Sequence, residues 1–174
     1  MRGDCDPGLV TASETTDERA DPGAPESLAL VRAMEDEIDD LYRDRSGSVR
    51  SVTAEPEEMR PPDGDFLVVV HEGRPVGCGG LKRLDRDACE IKRMYVAPEL
   101  RGRGMSMMLL DALEERAREL GFTMARLDMA DRQPAARRLY EGAGYRRIPA
   151  YNENDLATHW YERPLRPDEQ AVRP

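Results

Sequence analysis

The sequence predicts a single three-layer α/β domain, a mixed sheet with helices packed on its faces. Three observations carry that prediction. The chain has 174 residues, the length of one domain or of one domain plus a tail. A chain of this size buries about 68–70% of its unfolded surface, enough for a core without disulfide or metal staples. The elements read from apolar periodicity run β-α-β-β-β-α-β-α-β-β, which mixes hairpins with two strand-helix-strand crossovers.

Each element has its own signal. Residues 1–8 and 166–174 are polar and rich in Asp, Arg and Pro, and are expected to be flexible tails around a domain spanning 9–165. Leu9–Thr15 is expected to form a first strand. After the turn signal Asp21-Pro22-Gly23, residues Leu28, Val31, Met34, Ile38 and Leu41 recur at spacings of three and four. One apolar stripe of that kind predicts a helix over Pro25–Arg43. Ser46–Gly64, rich in Ser, Pro, Gly and Glu, reads as a loop with one helical turn.

Strands follow at Phe66–His71, Pro75–Leu84 and Ala88–Val96, separated by the polar turns at Glu72-Gly73-Arg74 and Asp85–Asp87. Met105, Met108, Leu109, Ala112, Leu113, Ala117 and Leu120 then mark a helix over Gly104–Leu120, and Gly121 stands where a C′ glycine belongs. A strand at Met124–Met129, a helix at Pro134–Glu141 and strands at Tyr145–Pro149 and Ala157–Arg163 complete the pattern.

Composition excludes several functions. Thirty-five acidic against 26 basic residues give a net charge of −9, the wrong sign for a duplex nucleic-acid binder. The longest apolar runs are a handful of residues, far short of the roughly 20 that cross a bilayer, and MRGDCDPG lacks a signal peptide's apolar region. Three scattered cysteines form neither a CxxC nor a Cys/His cluster, so no metal site is expected. A cytoplasmic protein is the expectation. Only Lys82 and Lys92 of the basic residues are lysine, a bias that genomic base composition explains.

The chemistry-bearing stretch runs from Glu90 to Ser106: a strand, a glycine-containing loop, then the long helix. A helix N-terminus offers unpaired N–H groups and partial positive charge, and glycines let an anion approach the backbone. Arg101 and Arg103 add full charges there, so the loop suits a diphosphate. It is neither a Walker A loop nor a dinucleotide fingerprint, since Gly102-x-Gly104 lacks the third glycine. Gly77-Cys78-Gly79-Gly80, inside a strand, reads as a bulge or as close packing.

Arg101-Gly102-Arg103-Gly104-Met105-Ser106 resembles the acetyl-CoA loop of the GNAT superfamily of N-acetyltransferases, whose pattern is [QR]-x-x-G-x-[GA]. The stretch from Gln133 through Ala136, Leu139, Tyr140 and Gly144 to Tyr145 resembles the family's N-x-x-A-x-x-L-Y-x-x-x-G-[FY]. Ser106 replaces the last small residue of the loop, and Gln133 replaces the usual Asn. The resemblance runs from about Val68 to Tyr145. It implies a GNAT-like domain: a mixed, mostly antiparallel sheet with a splayed parallel strand pair and helices on both faces.

Strict alternation in the strand before the loop would put Glu90, Lys92, Met94 and Val96 on one face, mixing charges with core residues. One extra residue near Lys92–Arg93 instead aligns Ile91, Met94 and Val96 towards the core and leaves Glu90, Lys92 and Tyr95 opposite, a β-bulge. By resemblance, the main chain of Met94, Tyr95 and Val96 holds pantetheine and the acetyl carbonyl, and a strand N–H stabilises the developing oxyanion. Arg101, Gly102, Arg103, Gly104, Met105 and Ser106 hold the diphosphate. Gln133, Ala136, Arg137 and Tyr140 complete the cofactor set, with Arg137 and Arg138 either facing the 3′-phosphate or forming a solvated helix face.

The resemblance further implies transfer of an acetyl group from acetyl-CoA to a primary amine by direct attack in a ternary complex. The acceptor would be a small cationic amine or a protein amine, and a homodimer fits the family. Glu90 matches a family base, and is otherwise a strand ion-pair partner. Tyr140 matches the general acid, and is otherwise a packed helix tyrosine. Tyr42, Glu90, Tyr151 and His159 are the candidate acceptor contacts, His159 also an alternative base. Acidic runs at the end of the first helix and at Tyr151–Asp155 would attract a cation if both border one cleft. The other reading open at this point is a non-catalytic acyl-CoA-binding sensor or scaffold.

Overall fold

A computed structural model describes residues 14–44 and 54–165. The expectations for residues 1–13 and 166–174, and for part of the first long loop, lie outside the described residues. The chain orders β1 Thr15–Arg19, α1 Pro25–Leu41, β2 Gly64–His71, β3 Arg74–Arg83, β4 Ala88–Val96, α2 Met105–Glu119, β5 Met124–Met129, α3 Pro134–Gly142, β6 Arg146–Ile148 and β7 His159–Pro164. Short 3₁₀ turns at Pro56–Met59 and Pro98–Leu100 join them. The seven strands form one sheet in the order β1-β2-β3-β4-β5-β7-β6, antiparallel except for β4 against β5. The expected element order and fold class both hold.

The differences have local causes. The first described strand is Thr15–Arg19; the expected strand Leu9–Thr15 lies, but for its last two residues, outside the described residues. Strand β1 is polar and mostly exposed, and pairing with β2, not apolar alternation, makes it a strand. Strand β6 begins after Tyr145 because Tyr145 finishes α3: its N–H bonds Tyr140 O at 3.0 Å while Gly144 N bonds Glu141 O at 3.1 Å, a Schellman closure with Gly144 at φ 90°. An Asn154 turn, bonding Leu156 N through its side chain and Ala157 N through its carbonyl, delays β7 until His159.

The main core lies between the sheet and α2 with α3, where Leu67, Val69, Leu81, Ile91 and Val96 meet Leu109, Leu110 and Leu113. A smaller cluster of Leu30, Met59, Phe66, Val68 and Cys78 lies under α1 on the other face. The glycine run in β3 is indeed close packing: a Cβ on Gly80 would meet Met59 Sδ at 2.4 Å, and one on Gly79 would meet Leu113 at 2.8 Å.

Candidate active site

The site is built where β4 stops pairing with β5. Their register runs Ala88↔Met124, Cys89↔Ala125 and Glu90↔Arg126, and ends there. On its other edge β4 keeps β3, with a shift: Gly80 faces Lys92 and Cys78 faces Tyr95. One residue on β3, Gly79, thus faces two on β4, Arg93 and Met94. The extra residue is Arg93, at φ 60°, which is the expected bulge. Ile91 and Val96 enter the α2 core with Met94 against them, and Tyr95 turns to the α1 cluster. Because Ala97 N bonds Val76 O on the β3 side, alternation turns the N–H and C=O of Met94, and the N–H of Val96, towards the opening.

Helix α2 starts beside that opening. Gly102 and Gly104 hold φ of 75° and 82°, and a Cβ on either would meet nothing within 4 Å. No side chain caps α2 and its first turn carries no acidic residue. Its first N–H groups are therefore offered outward at the positive end of the dipole. This fits a diphosphate, with Met105 anchored in the core, Ser106 half-buried and Arg103 exposed. Arg101 is turned another way. Its guanidinium grips Glu37 of α1 in a two-pronged pair at 2.8 and 2.6 Å, bonds Val96 O at 2.8 Å and lies over the Tyr95 ring. It braces the loop against α1. Gln133 is the uncapped N-terminus of α3, Ala136 packs on the core, and Arg137 is exposed and paired with Glu141 at 2.8 Å.

Two polar groups flank the opening. On the α2–α3 face, Tyr140 is buried, stacks edge-on with Tyr145, and points its hydroxyl at Met94 Sδ, 3.6 Å away. Burial, with the Asp128 charge as a lesser cause, holds its phenol well above its ordinary range, so it stays a neutral proton donor. On the α1 face lies a buried polar network. Glu90 Oε1 accepts from Tyr151 OH at 2.7 Å and Asn152 Nδ2 at 2.9 Å, and pairs with Lys92 Nζ at 3.1 Å. Lys92 Nζ also reaches Asp128 Oδ1 at 2.8 Å, bridging the parted strands. Asp128 Oδ2 accepts from Asn152 at 2.6 Å and Asn154 at 3.2 Å, and Trp160 Nε1 donates to Asn152 Oδ1. Burial first, then the Glu90 charge, pushes the Tyr151 phenol far up, so it too is neutral.

The structure thus gathers Glu90, Tyr151, Met94, Val96 and Tyr140 at one opening, and sets two expected acceptor contacts, Tyr42 and His159, elsewhere. Tyr42 is 1% exposed; its hydroxyl donates to Asp131 and accepts from Arg132 N, which ties the end of α1 to the β5–α3 loop. His159 stacks on Tyr161, on the opposite face of β7 from Trp160 and hence of the sheet from Glu90. Its imidazole pKa is lowered, by burial first and then by Arg147 and Arg137. Nor do the acidic runs line a shared cleft: Glu35 and Glu37 are paired with Arg93 and Arg101, and Glu153 and Asp155 face outward. The negative charge at the opening comes instead from Glu90 and Asp128.

Sequence reasoning missed Asp128, Asn152 and Asn154. The available signal for Asp128 was its place between Leu127 and Met129, the polar face of a buried strand. Cys78 and Cys89 are buried with thiols pushed up to about 12, which makes them poor nucleophiles. No group of metal ligands forms among the described residues, and no helix among them is long and apolar enough to cross a membrane.

Comparison with known proteins agrees with this geometry. Residues 31–145 match the model of the acetyltransferase (GNAT) family. An N-acetyltransferase of Escherichia coli K12, YjgM, itself uncharacterized, is 37% identical over 90 residues, 50% of this chain and 54% of that protein. The chain therefore matches about half of that relative's length. Crystal structures of a GNAT-family acetyltransferase from Staphylococcus aureus (TM-score 0.71, 19% identity, 88% of this chain and 100% of that one) and of another from Elizabethkingia anophelis with acetyl-CoA bound (TM-score 0.58, 16% identity, 85% and 95%) share the fold.

Proposed function

The chain belongs to the GNAT acetyltransferase family, and on that premise we propose that it is an N-acetyltransferase moving the acetyl group of acetyl-CoA to a primary amine in a ternary complex. The observation that carries the reading is the coincidence of three features. The N–H and C=O of Met94 and the N–H of Val96 face an opening in the sheet, an uncapped glycine-flanked helix N-terminus lies at its edge, and a neutral phenol and a carboxylate flank it on opposite faces.

Acetyl-CoA supplies an activated thioester. The first turn of α2, with Gly102 through Ser106, binds its diphosphate through main-chain amides, and Arg101 stiffens that loop instead of contacting phosphate. Gln133, Ala136 and Arg137 form the α3 side of the cofactor groove. The free edge of β4 pairs with the pantetheine arm, and a strand N–H offers a hydrogen bond to the acetyl oxygen as negative charge develops there. Tyr140 gives a proton to the departing sulfur. An ordinary phenol is a weaker acid than a thiol, so the step depends on the hydroxyl touching the sulfur as charge forms.

The acceptor enters on the α1 face and loses its proton towards Glu90. Glu90 Oε1 already holds three donors, so Tyr151 is the relay, taking a proton as it passes its own to Glu90 over 2.7 Å. The surplus negative charge of Glu58, Glu90 and Asp128 over Lys82 and Lys92 favours a cationic amine, small or on a protein. A cytoplasmic location and a homodimer belong to the same reading.

The test is calorimetric binding of acetyl-CoA together with release of CoA thiol across a panel of diamines, aminoglycosides, amino acids and lysine peptides. Turnover on at least one class is expected, with Tyr140→Phe keeping cofactor affinity and losing roughly 100-fold in rate. Binding with no thiol release on any class would leave an acyl-CoA-binding module. Unchanged turnover in Tyr140→Phe would remove the assigned acid.

A further inference from the structure

Every basic residue of this chain but two is an arginine, and the fold brings both exceptions, Lys82 and Lys92, to the same buried carboxylate. Lys92 Nζ lies 3.1 Å from Glu90 Oε1, and Lys82 Nζ lies 4.0 Å from Glu90 Oε2. An arginine would make a structural ion pair with more donors in a fixed fork. What a lysine adds is an amine that can lose a proton and become a nucleophile. Of the two, Lys92 stands in the more telling place. Its side chain leaves β4 just past the last β4–β5 pair and crosses to Asp128 on β5, over the α1 face of the opening. Tyr140 and Met94 close the other face. A thioester threaded between the strands would have a phenol on one side and the protein's own primary amine on the other, the side left for an acceptor. Glu90 and Asp128, the bases an acceptor needs, already touch that amine.

We propose that the chain, with acetyl-CoA bound, acetylates itself on Lys92. The inference rests on the cofactor placement proposed above. Glu90 or Asp128 takes one proton from the Lys92 ammonium, and the lone pair so freed on Nζ forms a bond to the thioester carbonyl carbon. The carbon–sulfur bond breaks, the sulfur leaves with the electron pair, and Tyr140 protonates it and is re-protonated in turn from the second N–H lost by the nitrogen. The products are Nε-acetyl-lysine, free CoA thiol and one proton to solvent. The reaction also removes the cation that Glu90 and Asp128 share, so a modified chain carries an altered acceptor site.

The experiment needs no knowledge of the natural acceptor. Purified full-length protein is incubated with acetyl-CoA and no added amine, and both lysines are mapped by peptide mass spectrometry while CoA thiol is followed. Lys82 is the internal control, because its side chain is the more exposed (16% against 5% for Lys92) and acetylation from solvent favours it. The expected result is one acetyl group per chain on Lys92, little on Lys82, and an equal release of thiol. The label and the thiol release are lost in Lys92→Arg and kept in Lys82→Arg. Preferential labelling of Lys82 overturns the proposal. So does an unmodified Lys92 in protein that calorimetry shows to hold acetyl-CoA, a result that leaves the transferase reading standing. Failure to bind acetyl-CoA at all overturns both. The wild-type map decides the question even where Lys92→Arg fails to fold.

Discussion

Two buried glutamates, Glu90 and Glu114, are 2% and 1% exposed, and they stand in different surroundings. Glu114 sits mid-helix in α2. It accepts from Tyr145 OH at 3.0 Å and from Arg163 Nη1 at 2.9 and 2.8 Å, and pairs with Arg118 at 3.4 Å. Its partners come from elements packed together by the main core. Glu90 is as fully bonded, through Tyr151, Asn152 and Lys92, but it stands at the last backbone pair before β4 and β5 part. Burial and saturation are therefore common to both. What sets Glu90 apart is its place at the strand edge, where β4 and β5 part, and that place is why the proton path is proposed for it.

The contrast is sharpened first by stability. Glu114→Ala strips Tyr145 and Arg163 of their shared acceptor, and a denaturant series should show a loss of about 3 kcal/mol, as for a buried pair broken on one side. Acetyl-CoA affinity of the folded fraction should not change. Burial holds the Glu114 carboxyl above its ordinary 4.5 despite Arg163. A carboxyl raised by folding contributes fully below its ordinary value and loses that contribution as pH climbs through the raised one. The stability advantage of the wild type over Glu114→Gln should then shrink from acid towards neutral pH. An advantage that grew instead would show the arginines, not burial, governing this site.

Glu90→Gln is the complementary variant. It keeps the size and one acceptor oxygen, so the unfolding midpoint should hardly move while transfer slows on the order of 100-fold, about 2.7 kcal/mol of barrier. A fall of less than about threefold would take Glu90 out of the proton path and leave it a structural acid like Glu114. The smallest effect is expected at the brace. Glu37→Gln releases Arg101 from a pair whose two side chains are 37% and 41% exposed. Such a pair is worth at most about 1 kcal/mol, so the acetyl-CoA Kd should rise by no more than about fivefold.

Much of this site was legible before any coordinates. The bulge could be read because Glu90, Lys92, Met94 and Val96 cannot share a face without mixing charge and core, and a single inserted residue resolves the conflict. The closure of α2 at Gly121 could be read because a left-handed C′ residue favours glycine. Phe122 N bonds Ala117 O there at 3.0 Å, and Gly121 N bonds Arg118 O at 2.9 Å. The bracing of Arg101 on Glu37 could not be read, because that partner is 64 residues away. Likewise the acidic runs looked like a cleft because charge can be counted along a chain, whereas pairing between helix and loop cannot.

The sequence by itself determined the elements, their order, the glycine-flanked helix start and the strand irregularity that opens the sheet. These are local matters of periodicity, φ preference and capping, settled within a few residues. Only the tertiary structure decided which polar groups meet at the opening. Asp128, Asn152 and Lys92 come from β5, the β6–β7 loop and β4, and alternation says which face each occupies but not what it touches. Burial then fixes the contacts, since a charge taken out of water must find a partner, and partners distant in sequence become neighbours only when the strands are laid side by side.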